Sequence, residues 1–272
     1  MCHTADSTDA PHPGQVLNTA TNEWSTLQDL PRDGDSYHGY IWAHAGAFEH
    51  GTFFVFGNTQ RLLPPQKNFK ARSYHPTTGR WSTESGIESY VRGRQQTCVE
   101  RGREGGNLGN AVGHNGKLYL LGWDSLTPQV IIYDVVTKQM SLGPSDSDGP
   151  RHSFTMGIFN GAIFIAGGQT YANKVLSSVW RLEVGGNAWQ RMPPIPGGDF
   201  HTNLGTSAEV DGGWWIRFRD DPSNVLGKVW VYDGSTWRQN GNYPGSRGQH
   251  HSSNPLATTS AWNCAQFATA SA

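Results

Sequence analysis

The sequence predicts an all-β chain made of five repeated four-stranded units, and three observations carry that expectation. A hairpin pattern recurs five times. A second pattern, an aromatic or aliphatic strand closed by a tryptophan, recurs between the hairpins. The composition is rich in glycine (34), proline (15) and tryptophan (11) within 272 residues that are only 36% hydrophobic. Many short strands and tight turns use such a composition, whereas helices do not.

The best-formed hairpin is PRHSFTMGIFNGAIFIAGG at 150–168. Its centre is Asn160-Gly161, a pair whose residues both accept the positive φ that a two-residue loop requires. Aligned on the turn glycine, it matches IWAHAGAFEHGTFFVFG at 41–57, GNLGNAVGHNGKLYLLG at 106–122 and TNLGTSAEVDGGWWIRF at 202–218, with a faint fifth copy, HHSSNPLATTSAWNCAQ, at 250–266. The first strands of these hairpins are lined with small residues, such as Ala43, Ala45, Gly46 and Ala47, or Gly109, Asn110 and Ala111. Small side chains let neighbouring sheets approach.

The second unit closes at Trp24, Trp81, Met140, Trp189 and Trp237, spaced 48 to 59 residues apart. Running from Trp237 through the C-terminus and back to Trp24 gives an interval in the same range. A radial array has no free sheet edge only if the last unit is completed by the first segment of the chain. The expectation is therefore that the hairpin at 250–266 supplies the two inner strands of a fifth unit and VLNTATNEW at 16–24 the two outer ones. This period, the double glycine Gly167-Gly168, the Tyr133-Asp134 and Tyr232-Asp233 pairs and the units WSTLQDLP and WQRMPPIP resemble kelch-repeat β-propellers. The five intervals imply five blades, and the resemblance implies that they form a kelch-type propeller of four-stranded blades, a single domain over 1–272 with 1–14 an irregular arm; kelch propellers more often have six or seven blades. The chain departs from the kelch pattern in keeping one glycine pair only and in placing Met140 at a tryptophan position.

Lys plus Arg at 21 against Asp plus Glu at 22 leaves no field that favours nucleic acid or an anionic membrane. No apolar run is long enough to span a bilayer, and the N-terminal residues lack the basic and apolar regions of a secretory signal. Cys2, Cys98 and Cys264 are too few and too scattered for a disulfide framework or a zinc site. These features favour a reducing, cytoplasmic setting.

By the kelch resemblance, one face carries the segments entering each inner strand, at 25–40, 82–105, 141–150, 190–200 and 238–249, and ligands sit over the channel mouth there. The segment 82–105 is long enough for a cap or lid. Histidines accumulate at this mouth: His38, His44, His152, His201, His250 and His251. His152 and His251 share a repeat position that Asn107 and Asn203 fill in blades two and four. Imidazole exchanges a proton near neutral pH and Asn or Arg holds a developing oxyanion, so His152, His251 and His201 are the catalytic candidates. Tyr37, His38, Trp42, Asn107, Arg101, Arg103, Arg151, Phe200, Asn203 and His250 are the substrate-binding candidates. Guanidinium forks would grip an anionic oxygen and the aromatic rings would wall an apolar cavity. Each residue also has a structural role open to it: kelch repeats use Arg or His at this position to bond neighbouring loops, the arginines in RGRQQTCVERGRE fit a solvated segment, and the rings fit inter-blade packing.

No phosphate loop, dinucleotide fingerprint, nucleophile elbow or Cys-x-x-Cys occurs, and no histidine pair has metal-ligand spacing with a carboxylate. No cofactor and no metal are expected. The expected function is a cofactor-independent enzyme acting on a small apolar organic substrate by dehydration, isomerisation or cyclisation, of the lyase or hetero-Diels-Alder-type cyclase class found in secondary metabolism. The alternative is a non-catalytic kelch interaction module with a protein partner. A lectin is the third expectation, weakened because the repeated tryptophans are explained by the fold.

Overall fold

Four tight turns with left-handed backbone set the architecture. His50-Gly51, Asn115-Gly116, Asn160-Gly161 and Asp211-Gly212 all take positive φ, for example 48° and 70° at Asn160 and Gly161. Both positions of a type I′ loop need this conformation, which glycine adopts freely and Asn or Asp tolerates through its short polar side chain. Each turn therefore joins two strands through two residues only. The computed structural model describes residues 15–18, 21–28, 42–60, 67–100, 108–122, 129–149, 151–152, 154–170, 174–196, 206–218 and 228–242.

The chain opens with a two-stranded pair, β1 (Gln15–Asn18) and β2 (Glu23–Thr26). The first four-stranded sheet is β3 (Trp42–Glu49), β4 (Thr52–Gln60), β5 (Lys67–His75) and β6 (Arg80–Thr83), followed by a helix, α1 (Ser85–Glu100). The second is β7 (Leu108–His114), β8 (Lys117–Gly122), β9 (Gln129–Asp134) and β10 (Met140–Ser145). A short strand, β11 (Arg151–His152), precedes the third sheet, which is β12 (Thr155–Phe159), β13 (Ala162–Ala166), β15 (Val179–Glu183) and β16 (Gln190–Met192), with β14 (Gln169–Thr170) set between β13 and β15 and paired to β11. The fourth is β17 (Thr206–Val210), β18 (Gly213–Phe218), β19 (Lys228–Tyr232) and β20 (Trp237–Asn242). Every four-stranded sheet is an antiparallel meander whose strand order follows the chain.

The first strands pack side by side, β3 on β7, β7 on β12 and β12 on β17. Among the described residues β17 and β3 make no such broad contact. Alternation along each strand sends one set of side chains to each neighbouring sheet, giving three separate apolar seams. Phe54, Phe56 and Phe69 meet Leu118, Leu120 and Ile131 between the first and second sheets. Tyr119 and Leu121 meet Met156, Ile163 and Ile165 between the second and third. Phe159 and Phe164 meet Trp214, Ile216 and Tyr232 between the third and fourth.

Near the first strands the sheets come too close for side chains. A Cβ on Gly113 would stand 2.3 Å from the Phe48 carbonyl oxygen, and one on Gly157 would stand 2.5 Å from both Ser207 Oγ and Trp214 Nε1. Close approach of the inner strands thus requires glycine at these two positions.

The outer strands end on turns closed by the aspartates of the Tyr-Asp pairs. Asp134 Oδ1 accepts from the Val136 and Thr137 amides at 3.0 and 2.8 Å, and Asp233 Oδ1 from the Ser235 and Thr236 amides at 2.8 and 2.7 Å. The accompanying tyrosines, Tyr133 and Tyr232, are buried in the seams. The closing tryptophans tie sheet to sheet. Trp237 Nε1 donates to the Pro193 carbonyl at 2.9 Å, four residues past Trp189, and Trp81 Nε1 donates to the Gln28 carbonyl at 2.9 Å, four residues past Trp24.

One expectation is corrected here. Residues 85–100 of the predicted loop at 82–105 form α1, whose Ile87 and Val91 are buried in the seam between the first and second sheets. The fifth hairpin at 250–266 and the arm at 1–14 lie outside the described residues.

Substituting Gly113→Ala is expected to destabilise the protein by about 1–3 kcal/mol, because the clash is with backbone and cannot be relieved by a rotamer change. A lowered urea midpoint at unchanged slope would show it; an unchanged midpoint would contradict the close approach.

Candidate functional site

The two-residue turns all lie at one end of the sheets, where Gly116 N donates to Glu49 Oε1 at 2.8 Å across the first and second sheets and Asn160 N approaches Glu209 Oε1 at 3.5 Å across the third and fourth. The opposite end carries the connections from sheet to sheet and those between the second and third strands. This loop end is where the sequence places its candidates.

Its best-defined feature is built around Arg151, 1% exposed at the start of β11. Nε and Nη2 both donate to the Asp146 carboxylate, Nη2 also donates to Asp148 Oδ2 at 2.8 Å, and Nη1 donates to the Gly167 carbonyl at 2.8 Å and more weakly to Ser178 Oγ at 3.5 Å. Asp148 Oδ2 further accepts from Ser178 Oγ and from Trp180 Nε1, the latter at 2.6 Å. Pairing of Arg151 with Thr170 and of His152 with Gln169 holds β11 against β14. The guanidinium thus ties the segment that enters the third sheet to the connection between its second and third strands. Burial pushes the Asp146 carboxyl above its ordinary value of 3.8, and the opposing pull of Arg151 does not cancel it. Burial acts on Asp148 in the same sense, but hydrogen bonds from Ser178 and Trp180, with the Arg151 charge, outweigh it and hold that carboxyl low.

A second polar cluster fills the seam beside α1. Glu88 is buried, accepts from the Ala71 amide at 3.0 Å, pairs with Arg72 and is approached by Arg92 at 3.4 Å. Glu84 accepts from Ser73 Oγ at 2.8 Å on its own sheet and from the Tyr133 hydroxyl at 2.7 Å on the next. Burial, then the Glu84 contact, pushes the Tyr133 hydroxyl well above its ordinary range, so it remains a proton donor to that carboxylate.

Arg151 is the one candidate whose side-chain contacts are described. Its five N–H groups face Asp146, Asp148, Gly167 and Ser178, so all of its donors are taken up by protein acceptors and the guanidinium braces two connections. Trp42 lies on β3, paired with Asn58, and His152 lies on β11, beside Arg151. Tyr37, His38, Arg101, Arg103, Asn107, Phe200, His201, Asn203, His250 and His251 lie outside the described residues. Sequence reasoning missed Asp146, Asp148, Glu84 and Glu88. The run SDSDGPR carried a signal for the first pair, two acids three and five residues before an arginine. Nothing local marked the glutamates, whose partners Arg72 and Tyr133 are remote in sequence.

Residues 150–196 match the family model of the Kelch motif. That stretch holds the Asn160-Gly161 hairpin, Arg151, the glycine pair and Trp189, and with the four-stranded antiparallel sheets it fits a β-propeller. No curated protein matches the chain. No helix among the described residues is long and apolar enough to cross a membrane.

Replacing Arg151 by Met is expected to cost about 3–5 kcal/mol at neutral pH, since the buried Asp146 carboxylate and the partly exposed Asp148 then lose their shared cation. Burial already raises Asp146, so its contribution is favourable at low pH and is lost as pH rises through its folded value. Loss of the guanidinium widens that window upward. Denaturant titrations across pH should therefore show the variant regaining stability on acidification relative to the parent chain; a constant difference would contradict the assignment.

Proposed function

We propose that the chain is a five-bladed kelch-type β-propeller that serves as a binding module, holding a peptide segment of a protein partner at its loop end. The observation that carries the binding reading is the Arg151 brace: the charged groups described at that end bond one another and stiffen the connections between strands, the arrangement of a loop platform rather than of a reactive centre. The match to the Kelch motif supports the same reading.

The five-blade count is supported by the tryptophan bonds. Gln28 receives Trp81 as Pro193 receives Trp237, each carbonyl four residues past the preceding closing tryptophan, so β1 and β2 stand to the first sheet as the outer strands of the third stand to the fourth. The lack of broad contact between β17 and β3 leaves room for one more sheet, whose inner strands the hairpin at 250–266 would supply. Trp81→Phe and Trp237→Phe are then expected to lower stability alike, by about 0.5–1.5 kcal/mol each. A neutral Trp81→Phe beside a costly Trp237→Phe would remove β1 and β2 from the ring.

A second reading is a cofactor-independent lyase or cyclase of natural-product metabolism, favoured by the repeat position that His152 and His251 share. Both readings place the chain in a reducing cytoplasmic setting, which the scattered cysteines support. The readings separate in one experiment. Partners captured by the purified chain are rebound to Arg101→Ala and His201→Ala variants, while co-purified small molecules are identified by mass spectrometry and tested for turnover. Partner binding that weakens in these variants at unchanged melting temperature, with no turnover, is expected. Conversion of a co-purified molecule that disappears in His152→Ala and His251→Ala would establish the enzyme instead.

A further inference from the structure

The structure contains two Asn-Gly turns of the same kind in different surroundings. Asn115-Gly116 has φ of 51° and 74°, Asn160-Gly161 of 48° and 70°, and both asparagines are exposed. Their backbone conformation and solvent access therefore match. Asn-Gly is the dipeptide in which a backbone amide can attack the preceding side chain most readily, because glycine puts no Cβ beside the nucleophilic nitrogen. In that reaction the deprotonated Gly nitrogen bonds to the Asn Cγ and the side-chain nitrogen leaves as ammonia, giving a cyclic imide. Water then opens the imide at either carbonyl to aspartate or isoaspartate.

The surroundings of the nucleophile differ. Gly116 N donates to Glu49 Oε1 at 2.8 Å. A carboxylate on that N–H opposes loss of the proton, since the resulting anion would face a negative charge. Gly161 N has no hydrogen-bond partner among the described residues. The closest atom to the place a Cβ would take on Gly161 is His114 Nε2, at 4.0 Å, an imidazole nitrogen rather than a carboxylate. The carboxylate beside this turn, Glu209, stands 3.5 Å from the nitrogen of Asn160, which is not the attacking atom.

We propose that Asn160 is a site of spontaneous deamidation and that Glu49 shields Asn115 from the same reaction. Conversion at Asn160 places a new carboxylate beside Glu209, at the junction of the third and fourth sheets. The isoaspartate product adds a backbone carbon to a turn that has room for two residues only.

The test is incubation of the folded chain at mildly alkaline pH, with peptide mapping by mass spectrometry to follow the amide-to-acid mass gain and isoaspartate at each site. Asn160 is expected to convert at least roughly tenfold faster than Asn115 in the folded protein, and the two at similar rates in denaturant. Glu49→Gln, checked for retained melting temperature, should bring the Asn115 rate towards that of Asn160. If Glu49→Gln loses its fold, hydrogen exchange of Gly116 and Gly161 in the parent chain is the second readout, with Gly116 the more protected. Equal rates in the folded protein, faster loss at Asn115, or a folded Glu49→Gln that leaves Asn115 unchanged would each overturn the proposal.

Discussion

Convergent sheets have to meet where there is least room, and in this protein that limit governs the rest. The first strands touch backbone to backbone at Gly113 and Phe48, and backbone to side chain at Gly157 and Ser207, where Trp214 of β18 also closes on Gly157. Contact at the inner strands fixes how far apart the outer strands stand, and hence how large the side chains between them must be. Phe54 and Phe56, or Phe164 with Trp214 and Tyr232, fill the widening gap. The glycines and the aromatic residues are two halves of one wedge.

The turns and the strand alternation were legible in the sequence because their causes are local. Asn160-Gly161 reads as a hairpin from two residues, and Ala162 to Ala166 reads as a buried strand from five. The Tyr-Asp pairs were also visible, though their division of labour, ring into the seam and carboxylate onto the turn amides, needed the structure. Helix α1 was not legible. Its sequence, SGIESYVRGRQQTCVE, contains two glycines and few apolar residues, and part of what holds it is Glu88 on the Ala71 amide and Arg72, a contact across more than a dozen residues. Of the candidate site, the sequence singled out Arg151 on the segment entering the third sheet, but not the carboxylates that hold it. Its acceptors lie on two connections, and only one of them is near in sequence.

The tryptophan ties show how far a repeat can be trusted. Trp81 and Trp237 make the same bond to a carbonyl in the preceding unit, whereas Trp189 Nε1 is buried with no hydrogen-bond partner among the described residues. The unit before Trp189 is the one closed by Met140, and its last strand carries a register shift between Leu142 and Ser145. The departure seen in sequence at Met140 thus coincides with a departure in bonding one sheet later.

Two-residue turns at one end and open connections at the other divide the molecule into a part that cannot change length and a part that can. An added residue in the His50-Gly51 turn would shift every side chain of the following strand to the wrong seam. At the loop end, by contrast, the chain accommodates a sixteen-residue helix and a paired β11 and β14 without disturbing the meander of any sheet. The fold therefore supplies a fixed base on which the opposite surface is free to diverge.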